Sequence, residues 1–98
     1  MSLKSYTETP KSGTGTAGSS ASTITSLASL SEDGTNGIVM IQVPSTEAAG
    51  IEVQAGSTGS GILVANDGAS VSFPCDDLSK IYVKRQGGAD ITFRFFAF

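Results

Sequence analysis

The chain has 98 residues, a formal net charge of −3, no histidine and a single cysteine, which suits one small domain without an internal disulfide or the commonest transition-metal ligand. Its six basic residues are scattered and its apolar runs fall far short of the 18 or so residues of a membrane-spanning helix, so neither nucleic acid nor a membrane is expected as a partner. A domain of this size is often stabilised by disulfides, a metal ion or oligomerisation. Because the chain has no internal disulfide and no histidine, we expect oligomerisation or docking on a larger partner.

Residues 1–31 are dominated by Ser, Thr, Gly and Ala. Such a segment cannot bury enough apolar area to offset the entropy lost when it is ordered alone. We therefore predict an extended N-terminal arm over residues 1–31, outside a β domain formed by residues 32–98, and we expect a partner surface to hold the arm. Its sizeable apolar residues are Met1, Leu3, Tyr6, Ile24, Leu27 and Leu30.

Within this segment, Gly13, Gly15 and Gly18 have the G-x-G-x-x-G spacing of a dinucleotide-binding loop. That chemistry requires a buried strand before the motif and a helix after it, so that backbone N–H groups converge on the phosphate. The upstream stretch has no apolar run, and the downstream stretch "SSASTITS" is rich in residues that compete with helical hydrogen bonds. The spacing therefore indicates low-complexity chain, and no cofactor is predicted.

From Gly37 onward, short apolar runs alternate with turn signals every 8 to 12 residues. This pattern is typical of an all-β protein, and we predict a small antiparallel β-sandwich or barrel of about six strands. Asp67-Gly68 and Gly87-Gly88 are expected to form tight turns. The predicted strands are 37–43, 49–55, 61–66, 69–75, 79–86 and 89–98.

Alternation with a period of two assigns side chains to the two faces of each strand. The strand "GIVMIQV" is apolar on both faces, since Ile38 and Met40 lie opposite Val39, Ile41 and Val43. It is therefore expected to be central or to lie at an interface. In the other middle strands the predicted inward residues are Ile51, Val53 and Ala55, then Val71, Phe73 and Cys75, then Ile81 and Val83.

The last strand, "DITFRFFAF", has the same property. If Ile91, Phe93 and Phe95 point inward, Thr92, Arg94, Phe96 and Phe98 lie on the face that should contact water. Soluble monomers rarely leave a contiguous patch of large aromatic side chains open. Two alternatives follow: either the arm of the same chain covers Phe96 and Phe98, or these residues form a subunit interface.

No catalytic constellation is predicted. Cys75 has no histidine to activate it and alternates into the core, so a buried inert thiol is expected. The spacing of the aspartates fits no calcium-binding loop, and the serines lack a G-x-S-x-G turn. We expect no metal and no enzyme. The carboxylates are expected to cap turns, and those concerned are Glu47, Glu52, Asp67, Asp76, Asp77 and Asp90.

The stretch from Gly61 to the C-terminus resembles the C-terminal part of small virion structural proteins of tailed bacteriophages. The resemblance lies in Ile62 to Val64, Ser70 to Phe73, Asp77 to Lys84 and Asp90 to Phe93. It implies a capsid decoration or cement protein, a small β domain that is often trimeric, with an arm that pins neighbouring shell subunits. The implied partners are the major capsid protein or another virion protein, and copies of the chain itself. The implied location is the capsid surface, after synthesis in the host cytoplasm.

We therefore expect a structural module that stabilises a phage shell, attached through its arm. The alternatives are a head–tail connector, a tail or fibre component, and a carbohydrate- or receptor-binding module in which Tyr82 forms the platform. Arm residues would contact the shell, the basic ones against acidic groups, and exposed residues of the β domain would complete the contacts. The candidate interface residues are Leu3, Lys4, Tyr6, Lys11, Ile24, Leu27, Leu30, Met40, Tyr82, Arg94, Phe96 and Phe98.

Overall fold

Two antiparallel sheets of four strands each make up the fold in the computed structural model, which describes residues 8–98. This confirms the predicted small β-sandwich, with eight strands in place of about six. A short helix α1 (Ile24–Leu27) and a 3₁₀ turn (Leu78–Lys80) accompany the sheets. The strands are β1 (Lys11–Ala17), β2 (Ser22–Thr23), β3 (Gly34–Gln42), β4 (Ile51–Gln54), β5 (Ile62–Val64), β6 (Ser70–Asp77), β7 (Tyr82–Arg85) and β8 (Ile91–Ala97).

Sheet A has the strand order β1-β8-β3-β6, and sheet B has the order β2-β7-β4-β5. Strand β8 is thus central in sheet A: Phe93 lies opposite Gly15 on β1, and Phe95 lies opposite Ile41 on β3. The chain passes from β1 to β2 in four residues, Gly18 to Ala21. That connection brings the edge strands β1 and β2 to one side of the sandwich, while β5 and β6 form the other side.

The core lies between the sheets and follows the alternation predicted for the strands. In β8 every second residue is buried, from Ile91 through Phe93 and Phe95 to Ala97, and the residues between them are exposed. The inward prediction is wrong for Ala55, which is exposed because β4 ends at Gln54 and the alternation ends with it. The fully buried large side chains are Phe93, Ile24, Ile41, Ile51, Leu78, Ile91, Val39, Val43 and Val83.

Residues 11–30, which were predicted to belong to an arm outside the core, lie inside the domain. The seven residues of β1 pair with β8, and β2 pairs with β7. Ile24 is fully buried, and its backbone N–H donates to the Ile81 carbonyl at 3.1 Å. Leu27 and Leu30 pack against the core, and the Lys11 ammonium donates to the Gly34 carbonyl. The proposed boundary at residue 31 therefore does not separate an arm from a folded unit within residues 8–98.

The physical reason is that sheet pairing satisfies the backbone of this segment without large apolar side chains. Glu8, the first residue that the structure describes, is also bonded to the folded domain. Its N–H donates to Asn36 Oδ1 at 2.9 Å, and Asn36 Nδ2 donates to the Glu8 carbonyl at 2.6 Å. Thr23 caps α1 by accepting from the Ser26 N–H at 3.2 Å. The candidate residues Leu3, Lys4 and Tyr6 lie outside the described residues.

The glycines of the G-x-G-x-x-G stretch have a packing role in the structure. Gly13 and Gly15 are paired with Phe95 and Phe93, whose rings lie directly under the β1 backbone. A Cβ atom on Gly15 would stand 2.5 Å from Phe93 Cζ, far inside van der Waals contact, whereas one on Gly13 would stand 3.4 Å from Phe95 Cε1. Glycine at position 15 is therefore needed for β1 to lie this close to the core rings.

We expect Gly15→Ala to lower the free energy of unfolding by about 1–3 kcal/mol, the usual cost of forcing extra atoms into a packed core. Gly13→Ala is the matched control, since it adds the same atom to the same strand at an ordinary contact distance. Urea denaturation of the two variants measures the difference. Equal stability of both variants would show that β1 does not approach Phe93 as closely as the structure indicates.

Candidate functional site

The outer face of sheet A carries four exposed apolar side chains, Ile38, Met40, Phe96 and Phe98, which we call the apolar face. Their exposed fractions are 44, 37, 44 and 39% respectively. If each of these large side chains has about 200 Å² of surface, within the range for an aromatic residue, the four exposed fractions together leave about 300 Å² of apolar surface in contact with water. A patch of this size is at the level where exposed apolar surface on a monomer often has a binding function.

Cross-strand pairing between β3 and the C-terminal end of β8 builds the apolar face. Met40 lies opposite Phe96, and Ile38 and Phe98 exchange two backbone hydrogen bonds of 2.9 Å each. The Phe96 and Phe98 rings contact edge to face, with centroids 5.2 Å apart and planes at 61°. Because neighbouring strands hold these side chains, little further ordering is needed for a partner to bind them.

Polar residues surround the apolar face on the same side of the sheet. Ser12 on β1 lies opposite Phe96, and Ser72 on β6 lies opposite Met40. Arg94 follows on β8, between Thr14 and Gln42 of the neighbouring strands. An apolar centre with a polar rim is the usual arrangement of a protein–protein interface.

Four of the twelve predicted interface residues, Met40, Arg94, Phe96 and Phe98, therefore lie on one surface. Ile38 belongs with them although it was not among the candidates, and its signal was the same alternation that exposed Met40. Of the other candidates, those within residues 8–98 lie elsewhere: Ile24 is in the core, and Leu27 and Leu30 pack against it. Lys11 bonds the Gly34 carbonyl. Tyr82 lies on sheet B, opposite Gln54 and Thr23.

The predicted capping role of the carboxylates is visible at several turns. Glu52 accepts from the Gly61 N–H at 3.1 Å, and Asp67 accepts from the Ala69 N–H at 3.0 Å. Asp90 instead pairs with Arg85 at 2.7 Å. Within residues 8–98, no group of three His, Cys, Asp or Glu side chains stands close enough to hold a metal ion. The helices found in that same part of the chain are too short or too polar to cross a membrane.

Cys75 departs from the prediction of a fully buried thiol, since it is only partly buried. Its Sγ donates to the Asp77 carbonyl at 3.2 Å. Position 75 faces inward on β6, but β6 is an edge strand, and sheet B does not cover all of its inner side chains. The thiol is therefore accessible in part.

Two ionisable groups near the 3₁₀ turn have shifted pKa values. The pKa of Asp77 is lowered because its carboxylate accepts hydrogen bonds from the Ser79 hydroxyl and from the Ser79 N–H, the latter at 2.8 Å. The pKa of Lys80 is raised because its ammonium is bonded to Asp76 at 3.0 Å. Both groups lie at the surface, and the interactions fix the local turn.

Comparison of the chain with protein-family models, with curated proteins and with solved structures found no match.

We expect Asp77→Ala to lower the free energy of unfolding by about 0.5–2 kcal/mol at pH 7, the range for losing an N-cap side chain. Because the folded-state pKa of Asp77 lies below the usual 3.8, its contribution is present above that value and is lost as pH falls through the folded pKa. Asp77→Asn, which keeps an acceptor but does not titrate, should retain most of the stability. Denaturation midpoints from pH 7 to pH 2 test this. An identical pH dependence in wild type and Asp77→Asn would contradict it.

Proposed function

We propose that the chain is a non-catalytic structural module of a tailed-phage particle, attached to a shell protein through the apolar face. The observation that carries the proposal is the exposure of Phe96 and Phe98 beside Ile38 and Met40 on an ordered sheet. The partner is taken from the resemblance of residues 61–98 to virion proteins. The attachment surface is taken from the geometry of sheet A.

The energetics favour a partner that is larger than the apolar face. Burying about 300 Å² of apolar surface contributes about 7 kcal/mol to the free energy of binding. This is no more than comparable to the cost of losing translational and rotational freedom on association, about 4–15 kcal/mol. Stable interfaces bury about 800 Å² on each partner. The polar rim, with Arg94 and Ser12, must therefore also contact the partner, as it would on a broad shell surface.

This mechanism differs from attachment through the arm residues. Ile24 and Leu27 cannot act as apolar pegs on a partner, since they pack in the domain core or against it. Deleting residues 2–23 would remove β1 and β2, so it would test folding and not attachment. The roles predicted for Leu3, Lys4 and Tyr6 stay predictions.

A head–tail connector or a tail component would use the same docking chemistry, so the apolar face does not separate these from a shell protein. The carbohydrate-binding alternative has less support. Among the described residues, Tyr82 is the only aromatic residue on the strands of sheet B, and it is partly buried. A flat glycan platform needs more aromatic surface than this.

We expect the double variant Phe96→Ser and Phe98→Ser to lose particle binding while keeping its fold, because both side chains are already substantially exposed. Purified chain is mixed with tailed-phage particles from the source organism and sedimented through a density gradient. Wild type should move with the particles, and the double variant should stay at the top. Leu63→Ser is the matched control, since Leu63 is an exposed apolar residue of sheet B.

Two results would contradict this proposal: failure of wild type to move with any particle, or equal loss of binding in Leu63→Ser. Light scattering of the free protein measures self-association through the same face. A trimer that Phe96→Ser and Phe98→Ser dissociate would assign the apolar face to contacts between copies, and the shell would then be contacted elsewhere.

A further inference from the structure

The free side of strand β1, over residues 12–16, is an open edge of sheet A, which we call the β1 edge. Among the described residues, β1 pairs only with β8, and Ser12, Gly13, Thr14 and Thr16 are exposed. An edge strand presents unpaired backbone N–H and C=O groups, which can pair with a strand of another chain. The β1 edge is therefore a possible contact surface that is distinct from the apolar face.

The hydrogen bonds of β8 determine which backbone groups of β1 point to this edge. Ile38 on β3 and Phe98 exchange two backbone bonds, and in an antiparallel ladder such pairs recur at every second residue. Counting back from Phe98, alternate residues of β8 therefore bond to β3, and the residues between them bond to β1. Phe95 is one of the latter, and its partner on β1 is Gly13.

The N–H and C=O groups of Ser12, Thr14 and Thr16 consequently point away from β8, to the β1 edge. This arrangement is self-complementary. Antiparallel pairing of two copies places the two Thr14 residues opposite each other and each Ser12 opposite a Thr16. Three hydrogen-bonded pairs result, each of which exchanges two bonds, so every outward backbone group of these residues gains a partner.

The side chains of β1 suit such pairing. Positions 12, 14 and 16 carry small hydroxyl side chains, and pairs of Thr with Thr or Ser across neighbouring strands are favourable. Edge strands are usually protected by proline, charged residues, a bulge or short length. Residues 12–17 contain neither proline nor a charged residue, and their register with β8 is continuous over the seven residues of β1.

The other three edge strands in the described part of the chain are protected. Strands β2 and β5 have only two and three residues. Strand β6 has eight, but Pro74 lies opposite Ile38 in it. Because Ile38 bonds to Phe98 on its other side, the Pro74 nitrogen lies on the free side of β6, where proline removes a donor. Strand β1 is thus the edge that is left open to another strand.

We propose that two copies of the chain pair antiparallel along the β1 edge, with a two-fold axis between the two Thr14 residues. The two A sheets then form one continuous sheet of eight strands, four from each copy. The axis is perpendicular to this sheet, so the two apolar faces lie on the same side of it. The pairing is separate from the attachment proposed for the apolar face and does not depend on it.

The dimer is expected to be weak, because β1 contributes no large apolar side chain and contacts of small area bind weakly. We expect a dissociation constant of about 10 μM to 1 mM. Sedimentation velocity over protein concentrations from about 5 μM to 2 mM, which bracket this range, measures it. Amide hydrogen exchange then locates the contact. The amides of Ser12, Thr14 and Thr16 should exchange fast in a dilute sample and more slowly as dimer accumulates, whereas those of Gly13 and Gly15 should be protected in both.

Thr14→Pro tests the pairing and preserves the ladder between β1 and β8. Proline removes the N–H that points to the β1 edge, and an edge strand tolerates proline at such a position. We expect the dimer to become about tenfold weaker or more, since each copy loses a central bond and the two rings meet at the axis. Thr14→Val is the matched control. It keeps the N–H and a β-branched side chain, so dimerisation should change by about twofold at most.

Cysteine cross-linking tests the register, in a Cys75→Ser background that removes the single native thiol. Opposite residues of a hydrogen-bonded antiparallel pair have Cα atoms about 5.5 Å apart, within the range of about 4.4–6.8 Å that a disulfide spans. Thr14→Cys should therefore form a bridged dimer on mild oxidation. Thr16→Cys is the matched control: the two Thr16 residues would lie about 14 Å apart at 3.4 Å for each residue, so it should stay unbridged.

Several results would overturn the proposal. A monomer over the whole concentration range would do so, and so would a trimer, since an antiparallel edge contact closes with two copies. Dimerisation that Phe96→Ser with Phe98→Ser abolishes, and Thr14→Pro does not, would place the contact on the apolar face. Protection of the Thr14 amide in a monomeric sample would show that the chain itself covers the β1 edge. If Thr14→Pro does not fold, the cross-linking decides, and equal bridging of Thr14→Cys and Thr16→Cys would contradict the register.

Discussion

The alternation of side chains along β8 is the constraint on which the core and the apolar face both depend. Because β8 is hydrogen-bonded to β1 on one side and to β3 on the other, neither its register nor its faces can change without breaking both ladders. Phe93 and Phe95 consequently enter the core, while Phe96 and Phe98 are held against water. A slip of one residue would reverse these positions, so the buried rings fix the exposed ones.

The sequence predicted the faces of β8 because its apolar residues are large and alternate with a clear period. It did not predict β1, since Lys11–Ala17 contains no large apolar side chain. Hydrophobic periodicity indicates a strand only where large apolar side chains alternate with polar ones. The inward residues of β1 are instead small. Because Gly13, Gly15 and Ala17 have little or no side chain, the rings of β8 can lie directly beneath this strand. The sequence feature that could have indicated β1 is the alternation of small residues with threonine.

Part of the candidate site was predictable for the same reason. Phe96, Phe98 and Met40 were found because alternation assigned them to a face that should contact water. Ile24 was misassigned to an arm, because its burial depends on a backbone bond to Ile81, which is far along the chain. The incomplete burial of Phe73 and Cys75 was not predictable from the pattern of β6. It depends on how short β5 is, and residues 61–66 were predicted as a strand twice as long as the observed Ile62–Val64.

Pro74 on β6 lies opposite Ile38 of the apolar face, and it also borders the cleft between the edge strands β5 and β6. Proline has no backbone N–H, so an edge strand that contains it is a poor template for an added strand. Extended backbone from a partner is therefore disfavoured along β6 at this point. Apolar side chains on both sides of Pro74 remain available for contact. Binding at this corner of the molecule is thus expected to use side-chain packing, not extension of sheet A.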